Sequence, residues 1–264
     1  MTLPNLPLVH VPGGTVILRD ARTGISREAV LVDFELGATP VTWSSYLSVS
    51  GGDGLGVGQL DSPVHSVSWW DAVRWCNRAS EAYGLPLVYA VADFNVTWEV
   101  SASGFRLPTE AEWEHACRAG TTGPHYGNLA AVAWTHSDEV EHAQPVACKQ
   151  ANNLGLYDML GNVWEWCWDY LDPARYADYR VLRGGGWADK HWSVRASVRR
   201  GSMPGARLDD LGFRVARGAV GVDQAGQGWS THADNARANV TKPFPSGWIP
   251  LRQALPTGQP RQEN

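Results

Sequence analysis

The sequence predicts an α+β fold in which little of the chain is regular helix or strand. Three observations predict it. The 264 residues include 28 glycines and 16 prolines, a density that favours turns over long helices. Helix-start signals occur at only three strong places, and short strand-like runs broken by glycine lie around them. Fourteen tryptophans in a chain that is 44% apolar supply a core large enough to carry irregular backbone.

The elements follow in order. Leu8 to Leu18 reads as strand, Gly13-Gly14 turn and strand, and residues 29–36 as another strand. Thr42 N-caps a short helix through Ser50, ended by Gly51, and a glycine-rich loop fills 51–58. Ser68 and Asp71 form a capping-box pattern that opens a helix to about Tyr83, stopped by Gly84. Its apolar positions Trp69, Ala72, Val73, Cys76 and Ala79 keep helical spacing. Residues 86–100 suggest two short strands around 92–95. Thr109 and Glu112 form a second capping box behind Pro108, opening a helix to Ala119 with Gly120 just beyond. Past Gly120 the chain reads as mostly irregular, with short strands expected at 163–169, 180–183, 193–199 and 212–216.

Composition excludes several function classes. The net charge is −5 with no basic block, which argues against a phosphate-tracking nucleic-acid binder. No apolar run reaches a membrane span of about 18 residues. The start, Met1 to Pro7, has neither a basic nor an apolar signal region, so a cytoplasmic location is expected. Cys76, Cys117, Cys148 and Cys167 show no CxxC spacing. Free thiols are the expectation, with Cys148 and Cys167 read as inert core thiols.

Two segments carry chemistry. In Gly161-Asn162-Val163-Trp164-Glu165-Trp166-Cys167-Trp168-Asp169 the tryptophans alternate, so they share one face of a strand while Glu165, Cys167 and Asp169 face the other way. Asp158 lies just upstream, and two carboxylates across a glycine turn could join turn carbonyls in an all-oxygen calcium site. The alternative is that both carboxylates satisfy backbone N–H groups of the turn. In Arg183-Gly184-Gly185-Gly186-Trp187 the glycines imply positive φ or close backbone approach. Arg195, Arg199, Arg200 and Arg214 follow, read as buried partners of Asp209, Asp210 or backbone carbonyls rather than an anion site. The histidines form no HxH or HExxH pair. An iron site from Asp189, His191 and a distant histidine is conceivable, but no ligand spacing supports it.

Gly104 to Glu114 resembles the RLPTEAEWE signature of the formylglycine-generating enzyme, or sulfatase-modifying factor, family. Asn153 to Trp166 resembles its GLYDMxGNVWEW signature. Arg183-Gly184-Gly185-Gly186-Trp187 and Leu211-Gly212-Phe213-Arg214 resemble its closing motifs, and Pro63 to Ala72 resembles its first-helix entry. The resemblance implies a large C-type-lectin-like fold over residues 1–217, leaving 218–264 as a C-terminal extension that wraps the domain or is disordered. It also implies a structural calcium ion held by the Asp158 side chain, the Gly161 and Val163 carbonyls and the Glu165 carboxylate.

One departure is decisive for function. Family oxidases carry two cysteines between the two closing motifs, which bind copper(I) and capture the substrate cysteine; soft thiolates suit that ion. Residues 183–214 here contain none. The expectation is therefore an accessory member that binds an unidentified peptide, protein or small molecule, with no nucleic acid and no membrane as partner. Its ligand surface is expected at Trp187, Asp189, His191, Trp192 and Arg207. A divergent oxygen-dependent oxidoreductase using non-heme iron or copper is the alternative, and a true cysteine-to-formylglycine oxidase stands last.

Overall fold

The computed structural model describes residues 5–20, 24, 26–52, 59–93, 95–218, 220 and 226–239. The chain opens with β1 (Leu8–Val11), β2 (Gly14–Arg19), β3 (Ser26–Leu31) and β4 (Phe34–Gly37), where the sequence suggested one strand for the last two. Then come α1 (Trp43–Ser50), α2 (Trp69–Ala82), β5 (Tyr89–Ala92), β6 (Asn95–Trp98), β7 (Phe105–Arg106), α3 (Glu110–Arg118) and α4 (Leu129–Val132). The remainder holds β8 (Trp164–Tyr170), α5 (Pro173–Tyr176), β9 (Arg180–Arg183), β10 (Arg199–Ser202), β11 (Leu211–Gly212), β12 (Ala216–Arg217) and α6 (Thr231–Ala238). Residues 193–198 are turns rather than the expected strand, which begins only at Arg199. The expected loop at 53–58 and the tail from 240 lie outside the described residues.

Two four-stranded sheets carry the fold, ordered β1-β4-β12-β7 and β10-β9-β8-β11; β2-β3 and β5-β6 are separate hairpins. The helices start where capping predicts. Ser68 and Asp71 cap α2 reciprocally, and Thr109 and Glu112 cap α3. The α3 helix ends on Ala119 in the left-handed conformation, one residue before Gly120.

Strand β8 divides two apolar cores. Trp164, Trp166 and Trp168 enter one with Trp69 and Trp75 of α2. Cys167 enters the other with Ala111, Trp113, Ala116 and Cys117 of α3. The two-residue period predicted from sequence holds, but the second face is buried too. It is polar at Glu165 and Asp169, so its charges need partners inside the protein.

The buried acids of the neighbouring α3 are paired inside the protein as well. Glu112 pairs in a fork with Arg106 at 2.6 and 2.7 Å, both side chains fully buried. Glu110 takes Arg199 at 2.7 and 2.8 Å. Glu114 takes Arg118 and Arg183. Residues 226–239 pack onto this layer: Thr109 Oγ1 donates to the Gln227 carbonyl at 2.8 Å, and Gln227 bonds both backbone groups of Val32. Trp229 stacks on Trp98 and meets Trp168 edge-on.

Thr109→Ala removes the cap and the bond to Gln227. It should cost about 1–2 kcal/mol, read as a lower urea midpoint at unchanged slope. A second expectation concerns Asp169, whose Oδ2 accepts the Glu110 N–H at 2.7 Å. Burial first, then the charge of Glu110, push its carboxyl up to about 7. The fold thus holds a proton that the unfolded chain releases above about pH 4, so this group lowers stability as pH rises from there to neutral. Asp169→Asn keeps the acceptor and removes that slope. Its stability relative to wild type should grow between pH 4 and 7 in urea melts; a constant difference would refute the assignment.

Candidate functional site

The site is built on the Gly161–Trp168 segment. Glu165 is buried and accepts three hydrogen bonds. Arg214 reaches it twice, Nε to Oε2 and Nη2 to Oε1, both at 2.7 Å, and Trp113 Nε1 reaches Oε2 at 2.7 Å. The same guanidinium donates to the carbonyls of Gly37, Tyr157 and Asp158 at 2.9, 3.0 and 3.3 Å. Burial opposes the charge on Arg214, yet Glu165 outweighs it and raises the arginine above its ordinary value.

Asp158 lies beside this pair, in a left-handed conformation with φ 52°. Its Oδ2 accepts the Ala147 N–H at 2.8 Å, whereas its buried Oδ1 has no hydrogen-bond partner. Burial pushes its carboxyl up to about 6, and the nearby Glu165 adds to the rise. The structure thus brings Asp158 and Glu165 together on either side of the Gly161 turn. Gly161 itself has φ 71°, and a Cβ there would sit 2.1 Å from the Trp134 carbonyl oxygen. Only glycine fits that approach.

Of the four residues implied as calcium ligands, Asp158 and Glu165 present oxygens whose chemistry suits the ion. Asp158 offers a buried carboxylate oxygen without a donor. Glu165 Oε1 accepts one hydrogen bond and keeps acceptor capacity. Both are hard oxygen donors beside turn carbonyls. No group of three or more His, Cys, Asp or Glu is placed to hold a metal among the described residues. Asp189 and His191 therefore do not gather a third such side chain for iron.

Asp189 braces the glycine loop instead. Its Oδ2 accepts from Trp164 Nε1 at 2.6 Å and from Gly186 N at 2.9 Å, and its carbonyl accepts the His136 N–H at 3.0 Å. Gly184 and Gly185 have φ 98° and 89°, and a Cβ on Gly186 would meet Asp210 Oδ2 at 2.8 Å. Each of the three glycines therefore has the reason the sequence suggested. Trp187 is half-buried with an unpartnered indole nitrogen. His191 and Trp192 are exposed and meet edge-on, ring centres 5.2 Å apart. Arg207 makes its bonds elsewhere, to Asp71 at 2.7 Å and to the Ser66 carbonyl at the start of α2.

The arginine expectation needs correction. Arg214 is buried and bonds backbone carbonyls as expected, but its acid is Glu165, and the part-buried Arg199 pairs with Glu110, rather than Asp209 and Asp210. Sequence proximity suggested acids within a dozen residues, while the fold supplied acids from α3 and β8. Arg195 and Arg200 are exposed. Among the thiols, Cys76, Cys117 and Cys167 are buried and all four cysteines are free. Burial raises each of these three well above the ordinary thiol range. Cys148 is exposed, contrary to expectation, because it lies in the irregular segment between α4 and β8.

Arg214→Ala leaves Glu165 charged and unpaired in the core, and should cost about 3–5 kcal/mol. Arg214→Lys restores charge without the fork and should recover only part of it. Equal stability of all three proteins in denaturant titrations would refute the pairing's role.

Comparison with known proteins places this geometry. A family model described as "Sulfatase-modifying factor enzyme 1-like domain" matches residues 3–219. The chain is 29% identical over 250 residues to "Chaperone protein LppX" of Paenibacillus barcinonensis, covering 80% of this chain and 89% of that protein. It is 29% identical over 266 residues to "Inactive C-alpha-formylglycine-generating enzyme 2" of Mus musculus, covering 80% and 86%. The solved structure of Treponema denticola variable protein 1 superposes with a TM-score of 0.73 at 29% identity, covering 80% of this chain and 94% of that one.

Proposed function

The chain belongs to the sulfatase-modifying factor enzyme 1-like family, and we propose that it is an accessory member that binds a ligand or protein instead of oxidising cysteine. The observation that carries this reading is the state of its thiols. Three of four cysteines are buried and held protonated, and residues 183–214 contain none. Two accessible thiolates are thus not available to hold a soft copper(I) ion and capture a substrate thiol. The names of the two relatives, one a chaperone and one an inactive enzyme, support the same reading.

The binding surface in this reading is the loop after β9. Trp187 and Asp189 fix its backbone, and His191 and Trp192 are displayed from it. An exposed tryptophan on a braced loop has the character of an interface anchor. Arg207 would contribute from the connection between β10 and β11, which its bonds to Asp71 and the Ser66 carbonyl tie to the start of α2. Calcium, held by Asp158, the Gly161 and Val163 carbonyls and Glu165, would neutralise the unpartnered oxygen of Asp158 and fix the turn that leads into β8. The free thiols suit a reducing cytoplasm. Among the described residues, no helix is long and apolar enough to cross a membrane.

Two measurements test this. Incubated with copper(I), oxygen and a cysteine-containing sulfatase peptide, the protein should yield no formylglycine by mass spectrometry; formation of the aldehyde would overturn the accessory reading. For calcium, titration calorimetry should show about one ion per chain. Chelation should lower the melting temperature of the wild type, and Asp158→Ala should lose both effects. Asp158→Asn, which keeps an oxygen donor, should retain binding. An unchanged melting temperature on chelation and no heat of binding would remove calcium from the account.

A further inference from the structure

We infer that the surface formed by residues 187–200 docks an acidic, extended segment of a partner protein; this rests on the accessory reading above and names the chemistry of its partner. The chain as a whole carries a net charge of −5, yet this stretch displays the cations Lys190, Arg195 and Arg200, all exposed, with the exposed His191 ring among them. Lys190 and Arg195 make no ion pair among the described residues. Arg199 is spent on Glu110, and Asp189, the one acid of the stretch, accepts from Trp164 and Gly186 through one oxygen and pairs with Arg200 at 3.5 Å through the other. What remains outward on this stretch without an acid partner among the described residues is Lys190 and Arg195.

An aromatic anchor stands in the middle of these charges. Trp192 is 51% exposed, with the Lys190 ammonium 5.2 Å from its ring centre and the His191 ring against its edge. Arg200 lies over the Trp164 ring at 4.9 Å, donates to Ser193 Oγ at 2.9 Å and stays more than half exposed.

The backbone beneath is already ordered. Successive turns are closed by Asp189 N to Gly186 O, Ser193 N to Lys190 O and Val198 N to Arg195 O, and Ala196 N is tied to the Pro124 carbonyl. A docked segment would therefore lose its own freedom but require little ordering of the loop.

Charge complementarity selects the partner. Arginine forks favour carboxylates, and a bare indole favours an apolar side chain between them. A nucleic acid would need a longer cationic track, which the acidic remainder of the chain does not offer.

The test is fluorescence polarisation with three fluorescein-labelled probes: a glutamate-rich dodecapeptide with a central leucine, its lysine-for-glutamate counterpart, and a single-stranded oligonucleotide. Only the glutamate peptide should bind, and added salt should weaken it. The variant Lys190→Glu/Arg195→Glu should weaken binding about tenfold or more. Trp192→Ala should weaken it at equal salt dependence. All three substituted positions are exposed, and circular dichroism checks that each variant folds. No binding of the glutamate peptide, unchanged binding by the double variant, or tighter binding of the oligonucleotide overturns the inference. None of these results concerns formylglycine formation, so failure here is distinguishable from failure of the accessory reading.

Discussion

The fold turns on one buried ion pair, Glu165 with Arg214. The guanidinium spans the carboxylate of β8, the end of β4 through Gly37, and the turn before β8 through Tyr157 and Asp158. Two stretches of chain far from Arg214 in sequence, at Gly37 and at 157–165, converge on its planar cation. Neither charge could remain in this core alone, because desolvation would cost several kcal/mol per ion. Their mutual satisfaction, with Trp113 supplying a further donor, makes the arrangement admissible and defines a single geometry for the loops around it.

The same device recurs along α3. Glu110, Glu112 and Glu114 each take a different arginine partner, from β10, from β7, and from β9 together with the helix's own last turn. A helix of nine residues would be marginal alone. Here its capping box and its apolar face seat it beside β8, and its charge pairs tie it to β7, β9 and β10. Irregular backbone elsewhere is held by indole N–H groups: Trp69 to Cys167, Trp166 to Val67 and Trp164 to Asp189. The tryptophans therefore act as both core volume and hydrogen-bond struts.

That rigidity bears on function. A loop fixed by Asp189, by glycines with positive φ and by closed turns can display His191 and Trp192 without a dedicated sheet or helix beneath them. The family frame is retained while the thiol chemistry of its oxidases has no counterpart in residues 183–214.

Much of this was legible in the sequence because it is local. Capping boxes at Ser68 and Thr109, the glycine stops and the two-residue period of the β8 tryptophans depend on neighbours within a few residues. Family membership was legible because its motifs are contiguous strings. Within the site, the glycine requirements of Gly161 and Gly184–Gly186 were visible as well. Partner choice was not. Arg199 and Arg214 were read against nearby aspartates, but the fold pairs them with glutamates 89 and 49 residues away. The burial of β8 on both faces, the exposure of Cys148 and the outward cations of 190–200 were equally hidden. Sequence alone determined the local geometry and the type of chemistry at each position. Only tertiary structure decided which charges meet in the core and which face solvent, because desolvation acts on where a group ends up in space rather than on its neighbours along the chain.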